Sequence, residues 1–329
     1  MAEWIDLLDP TEAELREALE QDVHERTLEQ LLRPARQDDE PRPRLEGQVG
    51  YVFGVFLVPI ALREEDRVFY QELDLVANRE RLVTVRKTPE LGQPFDPSPA
   101  QESIRRGDDR RTGLMVYRLV DLIAEYFLDL VDAIDDEIDE LEDRIEEWPA
   151  SQVRLRISEL RHDLLHVRRT VGPTRDAVRR VVDRRVDTAE DGEVLPRDIE
   201  VDFADVYDKL LRAVDGLEFS RDLLASARDY QQAKIANDQN EVVRRLTVIA
   251  SLVLVPTFIV GLYGQNFDNI PELHWSFGYW WSWGLIIATT LVQLAIYRWL
   301  GWIGRTPLQL PPLRTLDPRT LAGRRRGGA

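Results

Sequence analysis

Two long runs without a charged side chain dominate the C-terminal part of the sequence. The first extends from Leu246 to Gly264, and the second from about Tyr279 to Tyr297. At about 1.5 Å per helical residue, each covers roughly 28 Å, which matches the hydrocarbon core of a bilayer. A buried helical hairpin is the alternative, but soluble cores rarely contain two successive runs of this length. We therefore predict two transmembrane helices joined by a short loop.

Charged residues around these runs predict their orientation. Arginines stand on the outer flanks of the pair, at Arg244, Arg245, Arg298 and Arg305. The loop between the runs carries Asp268 and Glu272 and contains neither Lys nor Arg. Because positive charge is retained on the cytoplasmic side, we expect both termini in the cytoplasm and the loop outside. The expected location is the cell membrane, with lipid as a partner.

Composition excludes several classes of function. The formal net charge is -17 and the chain contains no cysteine. An acidic chain does not suit nucleic acid, and disulfides and thiolate metal sites are excluded. The first residues lack the basic and apolar regions of a secretory signal. With no nucleotide-binding glycine pattern and no nucleophile–base arrangement, we do not expect an enzyme.

The remainder of the chain predicts a small α/β domain followed by long helices. Strand patterns cover residues 51–62 and 67–86, and Thr11 with Glu14 has the spacing of a helix-capping box. Residues 88–111 have the Pro, Asp and Gly content of a linker. Helical patterns then run over 114–148, 150–186 and 196–264, the last on the order of 100 Å long. Such a helix needs neighbours, which a symmetric oligomer supplies.

The predicted fold is therefore α+β with a long helical stalk and two C-terminal transmembrane helices. We divide the chain into a cytosolic α/β domain with its linker (1–112), long cytosolic helices including the stalk (113–245), the two transmembrane helices with an external loop (246–300) and a cytosolic tail (301–329).

A stripe of mainly small and polar residues follows one side of the last long helix. We call it the small-residue seam: Asp229, Ala233, Ala236, Asn240, Val243, Thr247, Ala250, Leu254, Thr257, Gly261 and Gly264. Its steps alternate between four and three residues, a period of about 3.5 that is typical of supercoiled helix bundles. Two interpretations remain open at this point. The seam lines a water-filled path, or it is a site of close helix packing within the membrane.

Amides and carboxylates lie where the first run ends. Rings of Gln265 and Asn266 could bind a cation through its hydration water, because strongly hydrated Mg2+ gives up water reluctantly. The outer acids Asp268 and Glu272 would concentrate cations at the mouth of a path.

These segments resemble the CorA family of magnesium channels. The resemblance rests on residues 245–250, 256–267 and 270–275, which include the family's Tyr-Gly-Met-Asn signature as Tyr263-Gly264-Gln265-Asn266. Weaker similarity, including Asp205-Val-Tyr-Asp208, extends it over roughly residues 80–300. The resemblance implies a funnel-shaped homopentamer that conducts divalent cations and is gated by intracellular Mg2+.

The resemblance also assigns roles to individual residues. Gly264, Gln265 and Asn266 correspond to the selectivity filter, with Asn266 binding the hydrated ion. Asp205 corresponds to a regulatory Mg2+ sensor between subunits. The expected pore-lining residues are Asp229, Asn240, Val243, Leu254 and Thr257. Gln265 replaces the family's methionine, so the expected ion is Mg2+ first, then Co2+ or Ni2+, with Zn2+ a further candidate.

Two alternative functions and two weaker signals complete the sequence-based interpretation. The alternatives are a Zn2+ transporter on the same scaffold, proton-coupled in one version, and a membrane-anchored regulatory oligomer that does not conduct. The acidic stretch 132–147 has the pattern of a solvated helix face. His162 and His166 have the spacing of a metal-binding pair but lack an evident third ligand.

Overall fold

The computed structural model describes residues 2–19, 23–35, 40–62, 67–89, 92–186, 194–265 and 270–304. The chain divides into two compact units, Met1–Ala233 and Lys234–Ala329. We describe the contents of each unit separately.

A five-stranded sheet organises the N-terminal part of the first unit. Its strands are β1 (Glu3–Leu8), β2 (Arg44–Gln48), β3 (Tyr51–Leu62), β4 (Arg67–Ala77) and β5 (Arg81–Arg86). The spatial order is β1-β5-β4-β3-β2, in which β1 and β5 are parallel and the other neighbours antiparallel. The predicted α/β character of this region is confirmed.

Short helices α1 (Glu12–Leu19) and α2 (Glu25–Leu32) cover one face of the sheet. The predicted capping box at the start of α1 is present, since the Thr11 amide donates to Glu14 Oε2 at 2.8 Å. The Glu14 amide donates to Thr11 Oγ1 at 3.4 Å in return. The Thr11 amide and the Thr11 hydroxyl both donate to the Glu14 carboxylate, which stabilises its charged form and lowers the pKa of Glu14.

The other face of the sheet packs against longer helices. These are α3 (Ser98–Arg106), α4 (Thr112–Arg144) and α5 (Ala150–Val182), and α6 (Arg197–Tyr263) adds its first turns to the same core. Helix α3 lies inside the segment that the sequence predicted to be a linker. Its start is stabilised by Asp96, whose Oδ1 accepts a hydrogen bond from the Ser98 amide at 2.9 Å. The Pro and Asp residues of this segment therefore start a helix.

The long helices end close to the predicted positions for identifiable reasons. Helix α4 stops a few residues before Pro149, and α5 ends just before Arg184, which has a positive φ of 58°. Helix α6 begins directly after Pro196 and has 67 residues. A proline at this place removes an amide that would have no helical partner.

The second unit contains the end of α6 and helix α7 (Gly278–Trp299), with a short 3-10 helix over Pro271–His274 between them. Both helices are long and apolar enough to cross a membrane. Gly278 makes the tight entry into α7 possible, because a Cβ there would lie 2.4 Å from the Glu272 carbonyl oxygen. The loop that carries Glu272 is thus joined closely to the start of α7.

Candidate functional site

In the second unit, α6 presents one face to α7 and leaves the others exposed. The residues turned toward α7 are buried or half-buried: Val248, Ser251, Leu252, Val255 and Ile259. The seam positions of this unit are all exposed in the single chain: Ala236, Asn240, Val243, Thr247, Ala250, Leu254, Thr257, Gly261 and Gly264. At about 100° per residue, the seam lies on average roughly 140° around the helix from the buried face.

The exposed surface of α6 in this unit has two chemically different faces. One is formed by large aliphatic side chains: Leu246, Ile249, Val253 and Val260. The seam lies beside it and contains mainly Thr, Ala and Gly. A large aliphatic face suits lipid, whereas a seam of small and polar residues suits neighbouring helices or water. Packing within one chain thus leaves the seam available for contacts outside that chain.

The predicted filter residues follow the C-terminal end of α6. The Gly264 amide donates to the Val260 carbonyl at 2.9 Å, and the Gln265 amide donates to the Leu262 carbonyl at 3.4 Å. Both residues are exposed, whereas Asn266 and Asp268 lie outside the described residues. A helix C-terminus carries partial negative charge from its unpaired carbonyls, which favours a cation nearby. The sequence-based interpretation did not use this contribution.

Glu272, the second predicted outer acid, is half-buried in the 3-10 helix. Its carbonyl accepts a hydrogen bond from the Trp275 amide at 3.3 Å. This turn fixes the backbone from which the carboxylate projects.

Asp205 and Asp229 lie on α6 within the first unit, and both are exposed. Asp229 is beside Arg228, whose Nη2 lies 3.3 Å from its Oδ1. Across the described ranges, no group of three or more His, Asp or Glu side chains is placed to hold a metal ion. A sensor built on Asp205 would therefore need ligands from beyond these residues, as the resemblance to an inter-subunit site implies.

The structure gives other partners to the histidine pair. His166 Nε2 lies 3.1 Å from Glu40 Oε2, and its ring packs edge-on against Tyr70 with the ring centroids 4.8 Å apart. The side chain of His162 is 81% exposed, and the two imidazole centroids are 6.3 Å apart. Within the described residues this arrangement is not a zinc site.

The acidic stretch on α4 is mostly exposed to solvent, and two of its acids contact neighbouring helices. Asp135 accepts a hydrogen bond from Ser220 at 2.5 Å, and Glu137 pairs with Arg156 at 2.7 Å. Asp132, Asp136 and Asp139 are exposed. The first contact links α4 to α6 and the second links α4 to α5.

A buried charge cluster in the first unit was not predicted. The ammonium of Lys87 lies 2.5 Å from Glu72 Oε1 and 3.1 Å from Asp74 Oδ2. Gln30 joins it by donating to Glu72 Oε1 at 3.1 Å. Burial raises the pKa of Asp74 to about 7, although the charge of Lys87 opposes the shift. Neither Asp74 oxygen receives a well-directed hydrogen bond among the described residues.

A second lysine of the first unit also binds two carboxylates. Lys209 Nζ lies 2.6 Å from Asp121 Oδ1 and 3.0 Å from Glu125 Oε1. Partial burial lowers the pKa of Lys209, but the hydrogen bonds to these two acids outweigh it and leave the pKa raised. One sequence signal distinguishes Lys87 and Lys209 from the other cations: lysine is rare in a chain whose cations are nearly all arginine.

Comparison with known proteins identifies the class. Residues 2–300 match the family described as CorA-like Mg2+ transporter protein. The cobalt/magnesium transport protein CorA of Thermotoga maritima is 30% identical over 259 residues, which cover 78% of this chain and 70% of that protein. The CorA of Methanocaldococcus jannaschii is 25% identical over 91% of each chain. This chain therefore belongs to the CorA family of divalent cation transporters.

The fold agrees with this assignment. The complete structure of the M. jannaschii CorA magnesium transporter matches with a TM-score of 0.74 at 22% sequence identity, covering 91% of each chain. The N-terminal α/β domain, the long helix and the two candidate C-terminal spans are thus family features, and they fit a membrane protein.

Proposed function

We propose that this chain carries Mg2+, and also Co2+, across the cell membrane through a path lined by the small-residue seam in a homopentamer. The family membership supports transport, and two relatives named as cobalt/magnesium transport proteins support these ions. The observation that carries the proposal is the contrast between the exposed faces of α6. Its seam is small and polar and lies away from α7, while its neighbouring face is large and aliphatic.

Residues at the end of the seam suit a hydrated cation. Mg2+ keeps several water molecules, and hydroxyl, amide and carbonyl dipoles bind those waters without a fixed cage of ligands. Thr257 and Asn240 supply such groups along the seam, and Gly264, Gln265 and Asn266 would form the filter. The negative end of the α6 dipole adds to the attraction at the same level.

Five copies would place five seams around one axis, with Asp229, Val243 and Leu254 completing the lining. Both termini would face the cytoplasm, so Asp205 would sense intracellular Mg2+ between adjacent subunits and hold the path closed when Mg2+ is high. The exposed carboxylate of Asp205 is compatible with a site completed by a neighbouring chain.

Gln265 is the residue that makes Zn2+ a second candidate for the transported ion. It stands where the family's signature has methionine, and a different side chain in the filter changes the spacing available to a hydrated ion. Zn2+ transport on the same scaffold, driven by a proton gradient, is the second candidate function.

Flux into proteoliposomes loaded with a fluorescent indicator tests the proposal. We would add Mg2+, Co2+ or Zn2+ to the full chain, with and without a pH gradient. Entry of Mg2+ without a gradient, and its block by Mg2+ on the cytoplasmic face, is the expected result. Zn2+ entry that requires the proton gradient, with little Mg2+ entry, would favour the second candidate. Absence of flux for every ion would favour a non-conducting oligomer.

A further inference from the structure

A polar contact joins the two apolar helices of the second unit on the side of α6 away from the seam. Tyr297 OH lies 2.6 Å from Ser251 Oγ. Ser251 Oγ also donates to the Val248 carbonyl at 2.9 Å. A serine hydroxyl has one proton, so in this arrangement the tyrosine hydroxyl is the donor of the interhelical bond.

Gln293 contributes a second bond to the same residue. Its Nε2 donates to the Ser251 carbonyl at 3.2 Å. Gln293 and Tyr297 are four residues apart on α7 and thus share one face of that helix. Two side chains of α7 therefore converge on one residue of α6, and we call these three residues the Ser251 clasp.

Bonds of this kind are specific in an apolar environment. Without competing water, a polar group in the hydrocarbon region must find its partner in the protein. Three threonine hydroxyls along the described parts of these helices, those of Thr247, Thr257 and Thr289, bond to their own backbone, as Thr289 Oγ1 does with the Leu285 carbonyl at 2.8 Å. The clasp instead links two helices, so it opposes both rotation and sliding of one helix past the other.

The rotation of α6 decides which side chains occupy the seam position. Ser251 directly follows Ala250 of the seam in sequence. A rotation by one residue, about 100°, would exchange Thr257 for Phe258 and Leu254 for Val255. Such a rotation replaces a hydroxyl by a large ring. The side chains that line the proposed path therefore depend on how firmly the rotation of α6 about its own axis is fixed.

We propose that the Ser251 clasp positions α6 so that the small-residue seam faces the ion path. Gln293 and Tyr297 would then influence ion selectivity although neither lies in the seam. The role in selectivity rests on the proposed transport function, whereas the rotation of α6 is measurable without transport. All three are positioning residues, because none is placed to contact the ion.

Three variants and a matched control test the contact itself. Ser251→Ala and Tyr297→Phe remove the same interhelical hydrogen bond, and the double variant removes no interhelical bond beyond it, although Ser251→Ala also removes the bond to the Val248 carbonyl within α6. Each single variant should lower the Tm of the full chain in detergent by about 2 °C, with no added loss in the double variant. Thr289→Val, whose hydroxyl bonds within α7, should not couple to Ser251→Ala. Additive losses in the Ser251→Ala and Tyr297→Phe pair would overturn the contact.

A thiol reporter tests the rotation. The chain has no cysteine, so Thr257→Cys and Phe258→Cys can each be introduced on a clean background. With the clasp intact, a water-soluble thiol reagent should react faster at position 257. Gln293→Leu combined with Tyr297→Phe should lower the 257:258 reactivity ratio by about threefold, the size expected for loss of a weak interhelical hydrogen bond. Thr289→Val should leave the ratio unchanged.

Flux completes the design. In proteoliposomes, the Gln293→Leu and Tyr297→Phe combination should change the Mg2+:Co2+ flux ratio, whereas Thr289→Val should not. An unchanged reactivity ratio would overturn the positioning role even if the Tm values show coupling. A changed reactivity ratio in a chain that carries no ion would support the clasp and contradict the proposed transport function.

Discussion

The two units of this chain use their apolar residues in opposite ways. In the first unit, large side chains such as Phe127 are fully buried between helices and sheet. In the second unit, Phe258 is 68% exposed and most aromatic residues of α7 point outward. The first unit contains its own hydrophobic core, while the second leaves large apolar side chains exposed in the single chain, as membrane-spanning helices do.

The two units also differ in where their polar groups lie. In the first unit charged groups lie mainly at the surface, and the Lys87 cluster is a buried exception that needs internal pairing. In the second unit the notable polar contact, the Ser251 clasp, lies between the helices. This difference indicates which mutations should act on stability and which on transport. The predictions below are ordered by the free energy that each change should involve.

The largest effect should come from the core of the first unit. Phe127→Ala leaves a cavity in a fully buried site and should lower the free energy of unfolding by about 3–5 kcal/mol. Phe258→Ala makes the same chemical change on an exposed face and should cost well under about 1 kcal/mol. Denaturant unfolding of the full chain in detergent, followed by tryptophan fluorescence, compares the two. Equal losses would contradict the contrast between the units.

The buried charge cluster should make stability depend on pH. Folding raises the pKa of Asp74 from an ordinary value of 3.8 to about 7. The folded chain therefore holds this proton more tightly, so the contribution to stability is greatest below pH 4 and is lost as pH rises through 7. Asp74→Asn should remove about 2 kcal/mol of the pH dependence between pH 5 and pH 8.

The measurement is the Tm of each protein across this pH range. Asp132→Asn, at an exposed acid of the first unit, serves as the matched control. If Asp74→Asn and the control follow the same pH profile as the unsubstituted chain, the burial argument for Asp74 is wrong.

At the proposed filter we expect a smaller change, in the activation free energy of Mg2+ transport. Asn266→Ala removes the amide that would hold the hydrated ion and should reduce Mg2+ flux at least about tenfold, equivalent to roughly 1.4 kcal/mol. Asn237→Ala, at an exposed asparagine of α6 that is outside the seam, should leave flux within about twofold. Similar flux in the two variants would remove Asn266 from the filter.

The smallest effect is expected at the proposed sensor. Asp205→Asn removes one carboxylate ligand and should raise the cytoplasmic Mg2+ concentration needed for half-closure about fivefold. Asp222→Asn, at another exposed acid of α6, is the control. Flux measured as a function of internal Mg2+ concentration compares the two variants. If Asp205→Asn closes at the same Mg2+ concentration as the unsubstituted chain, Asp205 is not the sensor.

Regular patterns in the sequence predicted the helices and much of the sheet. The two apolar runs, the capping box at Thr11 and the long helical patterns all depend on local spacing, and each corresponds to an element of the structure. Helix α2 was missed because its cap is unusual: His24 Nδ1 accepts from the Arg26 amide at 3.2 Å. Helix α3 was missed because its Pro and Asp residues also occur in linkers.

Contacts between distant residues could not be predicted in the same way. The Lys87 cluster joins two residues of β4, one residue of α2 and the lysine that directly follows β5, so its pairing depends on the order of strands in the sheet. The alternation of Glu72 and Asp74 with two leucines gave a sign that one face of β4 is polar, but not that this face is buried. The Ser251 clasp likewise depends on the register of two helices that each appear uniformly apolar.

The central claim is that the small-residue seam is the face of α6 that contacts water in the assembled protein. A cysteine scan over residues 246–261, in a chain without native cysteine, tests it with a water-soluble thiol reagent. A thiol reacts as the thiolate, so a lipid-facing cysteine reacts slowly even when it is exposed in the single chain. We predict fast reaction at Thr247, Ala250, Leu254 and Thr257, and slow reaction at Ile249, Val253 and Val260. Fast reaction at the aliphatic positions, or no difference between the two sets, would contradict the proposed ion path.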